Sequence, residues 1–128
     1  MLEGTILKAS MVISGSGAEN RAGIEEVARA TVECLLNSVP AALAGVVFLS
    51  GGQSDEEATA HLDAMNRLGN FPWSLSFSYG RALQAPSLNK WGEDIVENLG
   101  AAQALLAHRA RMNGLATMGQ YEEALEAA

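Results

Sequence analysis

Three short apolar runs alternate with three segments of helical spacing, and this order constrains the fold more than any other feature of the chain. Leu2 to Leu7 is a β-branched and apolar run, broken by Glu3-Gly4. Gly45-Val46-Val47-Phe48-Leu49 is a compact run of strand length, expected to be buried on both faces. Pro72 to Phe77 is the third. Between the first two, Arg21 to Val39 sets Ile24, Val27, Ala28, Thr31, Leu35 and Leu36 along one side of a helix, with Pro40 just past its end. Ser54 is a good N-cap for the next helix, and Glu57 completes a capping box. Ala58, Leu62, Met65 and Leu68 continue that helix to Gly69-Asn70. A short helix is expected from Arg81 to about Ala85, stopped by Pro86. A long Ala- and Leu-rich helix follows from Asp94 to Met118, then a last helical turn or two over Gln120 to Ala127. The alternation is the signature of an α/β fold with a parallel sheet, its strands near 2–8, 44–50 and 72–78.

The length of 128 residues suits one domain, and residues 1–128 are expected to form a single unit. Fifteen acids against eight Lys plus Arg give a net charge of −7, which argues against a general nucleic-acid or anionic-membrane binder. A lone cysteine, Cys34, leaves no internal disulfide and no Cys-rich zinc site. The first residues carry no basic leader, and no run reaches the ~20 apolar residues that span a bilayer. The expectation is a cytoplasmic protein without a metal or cofactor.

In parallel α/β folds, ligands collect at the carboxyl ends of strands. Three groups fall there: Lys8, Ser50-Gly51-Gly52 and Ser78-Tyr79-Gly80-Arg81. Lys8, flanked by Ile6-Leu7 and Met11-Val12, is expected to be partly desolvated. That would favour the free amine as a nucleophile toward a carbonyl. The other reading is an ammonium that snorkels from a strand end. Ser50-Gly51-Gly52 offers a hydroxyl and unhindered N–H groups that suit phosphate, or else forms an ordinary strand-to-helix turn. Gly80-Arg81 pairs a helix-start N–H with a guanidinium, a phosphate clamp unless Arg81 pairs with a surface acid. Two glycine loops after consecutive strands say more than either alone.

These same segments resemble class I fructose-bisphosphate aldolase. LEGTILKAS is similar to that family's Schiff-base lysine motif, GVVFLSGGQSDEEATAHLDAMN to its next strand, phosphate loop and helix, and SFSYGRALQAPSLNKW to its last barrel strand and the short helix after it. The likeness runs through nearly the whole chain in order. It implies the last three βα units of a (β/α)8 barrel. It also implies an imine between Lys8 and a ketose phosphate, and a substrate phosphate held by Ser50, Gly51, Gly80 and Arg81. Gly52, Ser78 and Tyr79 would shape that pocket. The implied reaction is reversible cleavage of fructose 1,6-bisphosphate to dihydroxyacetone phosphate and glyceraldehyde 3-phosphate in glycolysis, with no metal required. The SGGQS and SYGRALQ pair argues against other lysine aldolases and transaldolase-like enzymes.

A full barrel of this kind takes about 250 residues. The family's further catalytic groups, an aspartate, two lysines and a glutamate on earlier strands, have no counterpart here. Ala9-Ser10 departs from the family's common Pro-Asn. The ending EEALEAA lacks the animal branch's functional tail tyrosine and looks more like the bacterial branch. Open sheet edges would invite a homo-oligomer or the missing N-terminal half of the barrel. The alternative to catalysis is a sugar-phosphate-binding or split-barrel assembly fragment. Elsewhere, His61 and His108 are expected as surface or packing residues away from the strand ends, Cys34 as a buried small hydrophobe, and Trp73 and Trp91 as packing residues. Arg109 and Arg111 form a basic spot that favours the helix dipole or pairs with acids.

Overall fold

The computed structural model describes residues 1–127. Three parallel strands, β1 (Ile6–Ala9), β2 (Gly45–Phe48) and β3 (Ser74–Phe77), form one sheet in the order β1-β2-β3. Helices α1 (Ile24–Ser38), α2 (Asp55–Arg67), α3 (Arg81–Glu93) and α4 (Leu99–Ala116) connect or follow them. The register pairs Leu7 with Val46 and Leu75, and Ala9 with Phe48 and Phe77. Because side chains alternate along a strand, these six share one face. Val46, Phe48 and Leu75 are buried there beneath Val27, Val32 and Leu35 of α1, Leu62 and Met65 of α2, and Met112 of α4. The opposite face carries Ile6, Lys8, Gly45, Val47, Ser74 and Ser76, and no helix of the described residues packs on it; Ile6 is 62% exposed.

Two expectations about the strands are corrected. β2 is not buried on both sides, since Val47 is only half-buried. Residues 2–4 are not strand but a 3-10 turn, closed by Thr5 N donating to the Leu2 carbonyl at 3.0 Å. Pairing starts at Ile6 because the facing ladder starts at Gly45, just after the turn following Pro40.

The helices follow their sequence signals closely at α2. Glu57 N donates to Ser54 Oγ at 3.1 Å, and Ser54 N donates to Glu57 Oε2 at 3.3 Å, so the capping box forms. Asp55, Glu56 and Glu57 sit in its positive first turn, and Arg67 in its last. On α1 the buried stripe is Val27, Ala28, Thr31, Val32 and Leu35. Leu36 lies beyond it and is 53% exposed, and Cys34 falls just off its other margin and is exposed rather than buried. Trp91 is also largely exposed, with its Nε1 donating to the Ile95 carbonyl, whereas Trp73 is buried and donates to the Pro40 carbonyl.

Two boundaries differ from expectation. α3 runs through Pro86 to Glu93. Pro86 forfeits one backbone hydrogen bond, but the far half of α3 is tied to α4. Ser87 Oγ donates to the Ala102 carbonyl at 2.6 Å, and Asn98 Nδ2 to the Lys90 carbonyl at 3.0 Å. α4 starts five residues later than Asp94, because Asp94 Oδ1 accepts from the amides of Val96 and Glu97 and forms a separate turn. Those two amides hold the Asp94 carboxyl below its usual range.

After α4, residues Glu123–Ala127 form a 3-10 segment that lies back on α2 and α4. Arg109 is 3% exposed and donates to Glu126 and to Thr59 Oγ1; Thr59 Oγ1 in turn lies 2.7 Å from Asn113 Oδ1. Tyr121 N donates to Asp63 Oδ1 at 2.8 Å, and Arg67 joins Asp63 to the Tyr121 carbonyl.

Candidate active site

All three sequence-derived groups lie at the carboxyl end of the sheet. Lys8 is in β1, in one row with Val47 and Ser76 on the open face. It is exposed, which corrects the expectation of partial desolvation. Its row neighbours Val47 and Ser76 are themselves only half-buried, and Met11, expected to shield it, turns into the core at 5% exposure.

Two residues past β2 comes Ser50, which is buried at 8% exposure. Gly51 and Gly52 follow at φ values of +52 and +81, a region that side-chain-bearing residues rarely enter. Gln53 N then donates to the Ser50 carbonyl at 2.9 Å and closes the loop. Among the described residues, the amides of Gly51 and Gly52 take no internal acceptor, so both are free for a ligand.

β3 continues past its end through Ser78, whose N–H donates to the Phe48 carbonyl at 2.9 Å. Tyr79 then turns into the helix layer, where its hydroxyl donates to the Ala58 carbonyl at 2.8 Å. Burial pushes that phenol well above its usual range. Tyr79 thus fixes the loop from beneath rather than facing a ligand. Gly80 caps α3, its carbonyl accepting from both Leu83 and Gln84. The first amides of α3 keep the unsatisfied donors of any helix start. Arg81 is exposed, and among the described residues no carboxylate pairs with it. The reading of Arg81 as half of a surface ion pair therefore has no partner among them. A hollow of about 270 Å³ lies between Gln53–Asp55 on one side and Arg81, Ala85 and Asn89 on the other.

The arrangement offers an amine on the open face of β1, free amides after β2, and a helix start with a guanidinium after β3. Such a set suits a phosphorylated carbonyl compound. Two residues here escaped the sequence reading. Gln53 is buried, and its Oε1 lies 2.6 Å from Nδ1 of His61. His61 therefore reaches the loop after β2 rather than standing away from the strand ends. Its burial pushes the imidazole below its usual range, against the pull of Glu57 and with the help of Arg21. Their spacing of eight residues straddles the start of α2, so no helical periodicity relates them. His108 sits on α4 against Glu126. Among the described residues no three His, Cys, Asp or Glu side chains gather as a metal site.

Free amides and a guanidinium follow adjacent parallel strands, beside a lysine, at the end of the sheet where α/β folds carry their ligand sites. The comparisons with known proteins say to which family such a piece belongs. The family model "Glycolytic: Fructose-bisphosphate aldolase class-I" matches residues 1–128. The chain belongs to the class I fructose-bisphosphate aldolase family. It is 58% identical over 122 residues to a probable fructose-bisphosphate aldolase class 1 of Xanthomonas campestris, covering 95% of this chain and 36% of that protein. It is 52% identical to a fructose-bisphosphate aldolase of Dictyostelium discoideum, covering 94% and 34%. Among solved structures, fructose-bisphosphate aldolase from Plasmodium falciparum, crystallised with TRAP and a small-molecule inhibitor, superposes with a TM-score of 0.90 at 50% identity. That match covers 94% of this chain and 35% of the other. The three-stranded sheet thus corresponds to part of the aldolase barrel, and the chain spans about a third of the length of these relatives.

Proposed function

We propose that residues 1–128 are one partial-barrel domain carrying the imine-forming and phosphate-binding part of a class I fructose-bisphosphate aldolase. The observation that carries this reading is the alignment, at one end of one sheet, of Lys8 with two glycine loops whose donors have no internal partner. Lys8 Nζ adds to the ketose carbonyl carbon, and loss of water gives the protonated imine. The imine is an electron sink. When the bond between C3 and C4 of fructose 1,6-bisphosphate breaks, its electron pair flows to the imine nitrogen as an enamine. The C4 hydroxyl gives its proton to a base from the remainder of the barrel, and glyceraldehyde 3-phosphate leaves. Protonation of the enamine and hydrolysis of the imine then release dihydroxyacetone phosphate and restore the amine. Ser50, Gly51, Gly80 and Arg81 hold a substrate phosphate, the first three by neutral donors and Arg81 by a charge-assisted pair. Gly52 and Ser78 set the loop paths, and Tyr79 anchors the second loop to α2.

The acid–base groups that the family places on earlier strands belong to the remainder of a barrel. The open face and the two free sheet edges suit either that half or a further copy of this chain. In this reading the protein works among the glycolytic enzymes of the cytoplasm. The exposure of Lys8 favours one alternative, in which the chain binds sugar phosphate or assembles with a partner half without turning over.

Borohydride trapping with dihydroxyacetone phosphate tests the proposal, read by intact mass and peptide mapping. A reduced adduct confined to Lys8, and absent from Lys8→Met, is the expected result. A folded chain that gives no adduct would exclude imine chemistry for it and leave the binding alternative.

A further inference from the structure

The loop after β2 owes little of its shape to its own residues. Gly51 and Gly52 carry no side chains, and their amides are unattached within the described chain. On the strand side the chain is held by Leu49 N, which donates to the Ala9 carbonyl at 2.9 Å, so the loop's other anchor is Gln53. That residue is fixed twice. Its amide donates to the Ser50 carbonyl at 2.9 Å, and its side-chain Oε1 lies 2.6 Å from His61 Nδ1, one to two turns into α2. Both side chains are buried, at 7% and 1% exposure. With the Gln53 amide oxygen facing the ring, Nδ1 is the donor of this contact, and His61 Nε2 is buried with no partner among the described residues. Gln53 also lines the hollow that Arg81 lines from the other side.

We propose that Gln53 and His61 are a positioning pair that holds the Ser50–Gly52 loop in its open-amide conformation and sets its spacing from Arg81. This rests on the reading of that loop as a phosphate site, and it goes beyond that reading by naming what shapes the loop. Neither residue touches the substrate in this scheme. Their effect passes through the backbone of Ser50–Gln53.

The test uses the whole chain in two independent readouts. Amide exchange of Gln53 and ¹⁵N relaxation of Gly51 and Gly52 report on the loop without ligand. Titration with dihydroxyacetone phosphate reports on binding, with Arg81→Ala as the control for the phosphate site itself. His61→Leu removes the donor, while His61→Asn keeps an amide donor near the place of Nδ1. Gln53→Leu, which leaves His61 in place, serves if His61→Leu does not fold. The expected result is exchange of the Gln53 amide about tenfold faster in His61→Leu, with interior α2 amides such as Met65 unchanged and His61→Asn close to wild type. Affinity should fall by about fivefold in His61→Leu and recover in His61→Asn. Unchanged Gln53 exchange in His61→Leu or Gln53→Leu would overturn the proposal. So would exchange that rises equally throughout α2, which marks mere loss of packing. A wild-type chain that fails to bind would remove the phosphate reading instead, while the exchange data still decide the pair.

Discussion

Gly51 is a residue whose torsion matters more than its chemistry. At φ +52 any side chain is strained, and a Cβ there would approach Leu49 Cδ1 at 3.2 Å. Gly51→Ala should therefore destabilise the chain by about 1–2 kcal/mol, measured by urea denaturation. It should also weaken dihydroxyacetone phosphate binding, since relief of strain turns the following amide. Gly52, at φ +81 but with open space where a Cβ would go, is the milder position. Of the residues singled out in the sequence, the structure sets the two glycine loops and Arg81 around one end of the sheet. It leaves Lys8 open, and it turns Tyr79 inward. Tyr79 could not be assigned a direction from sequence, because the chain changes course at Ser78 and strand alternation stops there.

At the scale of elements, α2 is the support beneath the first loop, and its capping box lies immediately after Gln53. Ser54→Ala removes the acceptor of the Glu57 amide and should cost about 1 kcal/mol, read as a shift in denaturation midpoint with unchanged m-value. This helix start was legible because its signal is local: a hydroxyl, a carboxylate three residues on, and an apolar stripe. α3 was misread for the opposite reason. Pro86 is a local stop signal, and the hydrogen bonds that carry the helix past it come from Ala102 and Asn98, in another part of the chain. The first strand was drawn too long because its pairing partner, not its own composition, decides where it begins. Leu36 lies outside because the buried arc of α1 spans only Val27 to Val32, and Cys34 is exposed because its place on the helix, not its small apolar side chain, decides its burial.

At the scale of the whole molecule, the chain's last described turn ties α4 to α2 through charge. Burial alone would raise the Glu126 carboxyl, but hydrogen bonds from Arg109, His108 and Tyr121 outweigh it and hold the group below its usual value of 4.5. A carboxylate depressed on folding stabilises above its unfolded pKa, and that contribution is lost as pH falls through the folded one. Glu126→Gln should thus lower stability at neutral pH by about 2 kcal/mol, less than a fully buried pair because Glu126 keeps some solvent contact. Its stability should also fall less steeply than that of wild type below about pH 4.5, followed by urea melts across the acid range. A variant with the same acid slope as wild type would show that Glu126 is not the titrating group. None of this was visible in the composition beyond a basic spot at Arg109 and Arg111. Pairing Arg109 with an acid 17 residues away requires the fold.

The uncovered face of the sheet governs how long a covalent state on Lys8 could survive. An iminium formed there would stand in bulk water, with Ile6, Val47 and Ser76 beside it and no helix of the described residues packed above. Its lifetime would then be set by hydrolysis, much as for a lysine imine in free solution. Hydride would capture it in competition with water, so adduct yield would climb with borohydride concentration even at saturating ketose. Covering the face would slow the water arm of that competition and make the yield depend on ketose alone. The dependence of yield on reductant is thus a clock for how dry the lysine is.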